Sequence, residues 1–354
     1  MACPRYIGNS VHAGRRLNRN VRTKNTMKPM HKVPFEALKQ IPFLDTANLQ
    51  GRAIPTLSFY DGTKWHFWMP TSDGLNAIDA RPAEGDYFSR TPERPSDIYM
   101  EFLNFMVQRA YWPSVAHFID AIRNDIHNLG ASLQKYHLFH HAAKDKRFQT
   151  RRFASTEIEY VFGTCRSMFD LLQEVIAFLW DTVRLDDQNA PKRHLPKSFR
   201  KMVIKDGRVM SCEEIRDMYR IPKQLADFYA RTSSFFAVLR QYRDNIIHHG
   251  KSIEMIFVTE RGFAVSKETE PFASFNAWQQ DQIQPNGLAS IRPALAHVVI
   301  ETIKSCEDFA HTIQRIIRFP PDIAPGFRLF LRGYHNEELI LLESVKANSQ
   351  WWDA

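Results

Sequence analysis

Apolar residues recur at three- and four-residue steps along several stretches of the chain. In 153–183, Ile158, Val161, Phe162, Cys165, Phe169, Leu172, Val175, Ile176 and Leu179 fall on one helical face. In 222–249, Leu225, Phe228, Phe235, Phe236, Leu239, Tyr242, Ile246 and Ile247 repeat the pattern, and Gly250 follows where helix ends favour glycine. The same reasoning predicts helices over 96–111, 114–145 and 211–219. It also predicts a long one over 288–318, stopped by Pro320-Pro321. Two stretches read differently. Aromatic-rich runs at 53–60 and 64–69 flank Asp61-Gly62, a hairpin signal, and 253–259 with 262–267 form a second hairpin around Glu260-Arg261. Pro, Gly and Asp accumulate through 70–97, which reads as a loop, and 184–210 is a polar, basic excursion between helices.

This pattern divides the chain into a tail at 1–32, a mixed hairpin and loop region at 33–95, a helical domain at 96–318 and an extension at 319–354. The whole is mainly α-helical. With 44% hydrophobic and 24% charged residues in 354, the chain can bury a sizeable core and is not a disordered one. No stretch reaches the roughly 18 consecutive apolar residues of a membrane span, so no membrane is expected as a partner. The four cysteines, Cys3, Cys165, Cys212 and Cys306, are far apart. That spacing disfavours both a disulfide scaffold and a cysteine metal cluster, and it points to a reducing, cytoplasmic setting.

Charge is unevenly placed. Residues 1–32 carry eight Lys and Arg and no acid, leaving 39 of the 47 basic residues to face 39 acidic ones. The formal charge of +8 therefore belongs to the tail. Such a tail suits nucleic acid or another anionic surface, a transit peptide, or a plain N-terminal extension.

Chemistry concentrates in Gln241-Tyr242-Arg243-Asp244-Asn245-Ile246-Ile247-His248-His249-Gly250. Arg243 follows Leu239 by four residues and precedes Ile246 by three, which places it in the apolar stripe. A guanidinium there needs an anion or a polar partner. One turn on, two histidines titrate near neutral pH. An Arg that holds a phosphate and a His that moves a proton suit phosphodiester cleavage by a ribose 2′-hydroxyl, with no metal and no cofactor. The competing reading pairs Arg243 with Glu157, Asp170 or Glu174 on the neighbouring helix and leaves the histidines to cap carbonyls.

Arg243, the polar Asp244 and His248 resemble the motif of the HEPN family, in which Arg is followed by a polar residue and, some positions later, by His. His249 also fits the family's spacing. Five Arg–His pairs have such a spacing: Arg5–His12, Arg243–His248, Arg243–His249, Arg292–His297 and Arg328–His335. Arg292 is followed by Pro293, Arg328 lies beyond a Pro-Pro stop and Arg5 lies in the tail, so context favours Arg243. The resemblance covers 150–318, with 184–210 as an insertion. It implies a mainly α helical bundle of HEPN type with small β-hairpin additions. It also implies a homodimer whose paired motif helices form an RNA-cleaving site, in a toxin–antitoxin or phage-defence setting with an antitoxin or regulator as further partner. A catalytically silent dimer that binds nucleotide or RNA, or scaffolds a partner, is the alternative.

Arg123 and His127 echo the motif one residue short and are candidates for a second phosphate contact, although a solvated helix face is the commoner origin of such a pair. His137, His140 and His141 lack a matching acid or Cys for a metal. Trp65, Phe67 and Trp68 read as a sheet face more readily than as a base-stacking platform. No Walker loop, GxGxxG, GxSxG or HExxH is present, which disfavours kinases, dehydrogenases, elbow hydrolases and zincins.

Overall fold

The chain builds most of a sheet before it turns helical. In the computed structural model, residues 33–347 are described except 73, 144–149, 250–252 and 254, and for 247–249 only the backbone is described. The basic tail and Gly250 thus lie outside the described residues. Helix α1 (Phe35–Leu38) precedes five strands: β1 (Ser58–Tyr60), β2 (Trp65–Thr71), β3 (Gly74–Ile78), β4 (Gly85–Ser89) and β5 (Ile98–Tyr99). Helices α2 (Glu101–Arg109), α3 (Pro113–Ala143) and α4 (Thr150–Leu179) follow. Helix α5 (Phe199–Val203), strands β6 (Ile204–Lys205) and β7 (Arg208–Val209) and helix α6 (Cys212–Tyr219) lead to α7 (Lys223–His249). Strands β8 (Phe257–Thr259) and β9 (Gly262–Ser266), helix α8 (Phe272–Phe275) and strand β10 (Leu288–Ser290) come next. Helix α9 (Ile291–Ile316), strand β11 (Arg328–Arg332) and helices α10 (Asn336–Ile340) and α11 (Leu342–Ala347) complete the described chain.

A mainly α bundle of HEPN type with only small hairpins is not the fold class observed. Six strands form one mixed sheet in the order β3-β2-β1-β4-β11-β5, joined by a three-stranded sheet (β10-β9-β8) and a two-stranded one (β6-β7). The Asp61-Gly62 hairpin is present, with Tyr60 opposite Trp65. The loop expected over 70–97 instead contains β3 and β4, short strands that each open on a glycine and are joined by a connection holding Pro82. β11 lies in the expected extension, yet Phe330 pairs with Tyr87 on one side and Tyr99 on the other. Boundaries drawn at 95 and 319 therefore divide one sheet. Phe59, Phe88, Leu329 and Leu331 bury one face of this sheet in the core shared with the helices.

The long helices pack antiparallel. Phe162 meets Tyr242 with ring centroids 4.7 Å apart, Phe169 meets Phe236 at 5.5 Å, and the Tyr229 hydroxyl donates to Gln173 at 2.6 Å. Numbers rise along α4 as they fall along α7. Lys135 pairs with Glu157 while Phe118 meets Phe178, so α3 and α4 are also antiparallel. Arg231 pairs with Asp308, and Phe275 touches both Phe235 and His297, which sets α9 antiparallel to α7. The C-terminal ends of α3 and α7 and the N-terminal ends of α4 and α9 consequently share one end of the helical layer.

Candidate functional site

Helix α7 buries Leu225, Phe228, Tyr229, Thr232, Phe236, Leu239 and Tyr242 against α4 and α9. Tyr242 takes the inward position at the end of that stripe. Arg243, one residue and about 100° further round, sits at the rim with its side chain 38% exposed. It was expected in the stripe itself. Its Nη1 lies 3.4 Å from Asp244 Oδ1, while Asp244 Oδ2 holds Arg240 Nη2 at 2.7 Å. Two guanidinium groups thus share one carboxylate, and the cluster keeps a net positive charge.

The acids that would have neutralised Arg243 are engaged elsewhere. Glu157 holds Lys135 at 2.9 Å. Asp170 pairs with Arg166 at 2.7 Å and accepts from the Phe199 backbone. Glu174 faces Lys197. Among the described residues, Asp244 is the one carboxylate within ion-pair distance of Arg243. His248 and His249 belong to the last turn of α7. Their side chains lie outside the described residues.

The same end of the helices carries further basic groups. His137 and Arg292 both face Glu338, at 3.5 and 3.8 Å, beside a narrow crevice lined with Tyr136, His140 and Phe263. Burial pushes the Glu338 carboxyl up, but His137 and Arg292 outweigh it and hold the group below its ordinary value. Burial also lowers His297. Arg292 and His297 are on one helix, as the motif spacing requires, but Arg292 is turned to Glu338. Arg328 and His335 are not, since Arg328 lies in β11 and stacks over the Tyr99 ring.

Arg123 and His127 are brought together away from this end, where α3 meets the sheet. Arg123 donates to Asp86 at 2.5 Å and Asp120 at 2.9 Å, and Asp120 also accepts from the Tyr111 hydroxyl at 2.7 Å. The charge of Arg123 is committed to two carboxylates, which leaves a phosphate no advantage there. His127 packs against Gly333 in β11's exit turn, and burial lowers its pKa. The pair ties helix to sheet.

The larger ionic feature was not read from the sequence. Arg332, Asp97, Glu93 and Tyr87 form a buried network at the sheet, capped by the Trp65 ring over Arg332. No short-range spacing marks it, because Arg332 reaches Asp97 and Glu93 from β11, more than two hundred residues further along the chain. Trp65 is accordingly a wall of this network.

Among the described residues no group of three or more His, Cys, Asp or Glu is placed to hold a metal ion, and no helix is long and apolar enough to cross a membrane. Comparison with protein-family models, with curated proteins and with solved structures finds no match for this chain.

Proposed function

We propose that the C-terminal end of α7 is an RNA-cleaving site that works without a metal, with Arg243 holding the scissile phosphate and His248 transferring the proton. One observation supports this reading most. Among the described residues Arg243 stands at the rim of the helical layer with one shared carboxylate beside it, while Glu157 and Asp170 are paired with Lys135 and Arg166 and Glu174 lies 4.0 Å from Lys197. A half-exposed guanidinium in excess over its counter-charges is suited to a phosphodiester, which it can grip with two parallel N–H bonds. Asp244 keeps the fork oriented and is displaced from Nη1 when a phosphate arrives. Proton abstraction from the 2′-hydroxyl is work for a neutral imidazole near neutral pH. His248 and His249 are one helical turn further on, and the motif spacing favours His248.

The reading extends to a homodimer, in which a second copy of the α7 end faces the first and doubles the positive charge over the RNA. It also extends to a cytoplasmic setting with an antitoxin or other regulator restraining the activity. The test is incubation of the full chain with a labelled RNA in the presence of EDTA. Cleavage that leaves 2′,3′-cyclic phosphate ends, with the DNA of the same sequence intact, is the expected result. If the RNA stays whole while still being bound, the silent binding module replaces the enzyme.

A further inference from the structure

Arg184, Arg315 and Arg318 surround a crevice of about 320 Å³ at the opposite end of the helices. Arg315 is in the last turn of α9, and Arg318 follows one extended residue later. Arg184 arrives from the segment after α4, whose backbone N–H donates to the Ile316 carbonyl at 2.9 Å. Helix α9 has 26 residues, about 39 Å at 1.5 Å per residue, and its N-terminal end adjoins the end of α7. The crevice is therefore remote from Arg243.

The other lining residues are Gln314, Ile316 and Ile317, so no carboxylate faces the space. Among the described residues none of the three arginines makes an ion pair, and all three are exposed. The negative end of the α9 dipole accounts for Arg315, but its field fades within a turn. It does not account for Arg184, which belongs to another segment, or for Arg318 beyond the helix. Several other arginines are matched, among them Arg109 with Asp322, Arg123 with Asp86 and Arg231 with Asp308, and what sets these three apart is that they line one crevice. Three arginines lining one crevice with no carboxylate among the lining residues give it a positive potential that an anion would relieve.

We infer that this crevice is a binding site for phosphate oxyanions, gripped by the forks of Arg184, Arg315 and Arg318. Its volume lies at the lower bound of small-molecule sites and admits more than one phosphate group. The phosphates come either from a free di- or triphosphate or from the backbone of an RNA strand. Neither source depends on the reading of Arg243.

The test is equilibrium dialysis of the full chain against labelled pyrophosphate at low ionic strength, repeated with an RNA oligonucleotide lacking terminal phosphates as competitor. Pyrophosphate should bind, and Arg184→Gln, Arg315→Gln and Arg318→Gln should each weaken binding roughly tenfold or more. Arg318→Lys should weaken it less, since the charge remains and only the fork is lost. Arg243→Ala should leave it unchanged, which separates this site from the cleavage site. Displacement by the RNA identifies a polymer backbone as the source, and failure to displace identifies a small phosphate. The inference is overturned if the parent binds neither probe, or if the single variants, folded by circular dichroism, bind pyrophosphate as the parent does.

Discussion

Arg332 and Asp97 join the last strand of the sheet to the turn before β5 by two hydrogen bonds, Nε to Oδ1 at 3.0 Å and Nη2 to Oδ2 at 2.7 Å, with both side chains almost fully buried. The Tyr87 hydroxyl donates to the same carboxylate at 2.6 Å, and the Trp65 and Tyr87 rings flank the guanidinium at 4.9 and 5.2 Å. Removing Asp97 strips the buried guanidinium of two hydrogen bonds and leaves Glu93, at the network's edge, as its remaining carboxylate. Asp97→Ala should cost about 3–5 kcal/mol in urea unfolding, and replacing both partners with apolar residues of similar volume should cost less than either single change.

Burial pushes the Asp97 carboxyl up, but hydrogen bonds from Arg332, Tyr87 and the Arg94 backbone outweigh it, and the group stays below its ordinary value of 3.8. A lowered folded pKa contributes stability that is complete above the unfolded value and is lost as pH falls through the folded one. Unfolding midpoints of the parent should therefore fall steeply below about pH 4. The Asp97→Asn variant should show a shallower acid limb, which pH-dependent urea titration will record.

Asp125 is the opposite case. It lies half-buried between α3 and α4 with Ser167 at 3.5 Å, and burial raises its pKa to about 6. The folded state then binds the proton more tightly than the unfolded chain, so stability declines as pH rises from about 4 through 6. Asp125→Asn should stabilise the protein by about 1–2 kcal/mol at neutral pH, the shift being discounted for partial exposure, and by nothing below about pH 4. Equal gains at both pH values would contradict this.

Gly333 leaves β11 where a side chain has no room. An added Cβ would come within 2.6 Å of Asn336 Oδ1 and 2.9 Å of His127 Nδ1. The Asn336 amide donates to the Ser96 and Leu331 carbonyls at 2.9 Å, so moving it breaks both bonds. Gly333→Ala should destabilise the fold by about 1–3 kcal/mol, measured by thermal or urea unfolding.

The long helices and the first hairpin were legible because their causes are local. A 3.6-residue apolar period marks the helix that carries Arg243, and Asp61 makes its turn by accepting from the Thr63 and Lys64 backbones. The rest of the sheet was not. Arg328–Arg332 is a strand of five residues beyond a Pro-Pro stop, and nothing nearby announces partners at Gly85–Ser89. Strand pairing at such separation is set by tertiary packing. The site shows the same division. Periodicity brought Arg243 close to the apolar stripe but could not distinguish the rim from its centre, since Tyr242 and Arg243 differ by one step of 100°. That Glu157, Asp170 and Glu174 bind other cations follows from helix contacts and from the 184–210 excursion, which supplies Lys197. Arg123 illustrates the converse, a helical Arg–His pair whose carboxylate partner Asp86 comes from a strand.

The central claim rests on Arg243 and His248, and the most direct measurement is the single-turnover rate of RNA cleavage by the parent, Arg243→Ala, His248→Ala and His249→Ala, each verified as folded, in EDTA. Loss of the phosphate clamp in Arg243→Ala should slow cutting by about 10²–10³, and loss of proton transfer in His248→Ala by about 10²–10⁴, with His249→Ala close to the parent. Cleavage by the Arg243→Ala, His248→Ala double variant at the parent's rate, or no cleavage by the parent on any RNA, would contradict the account.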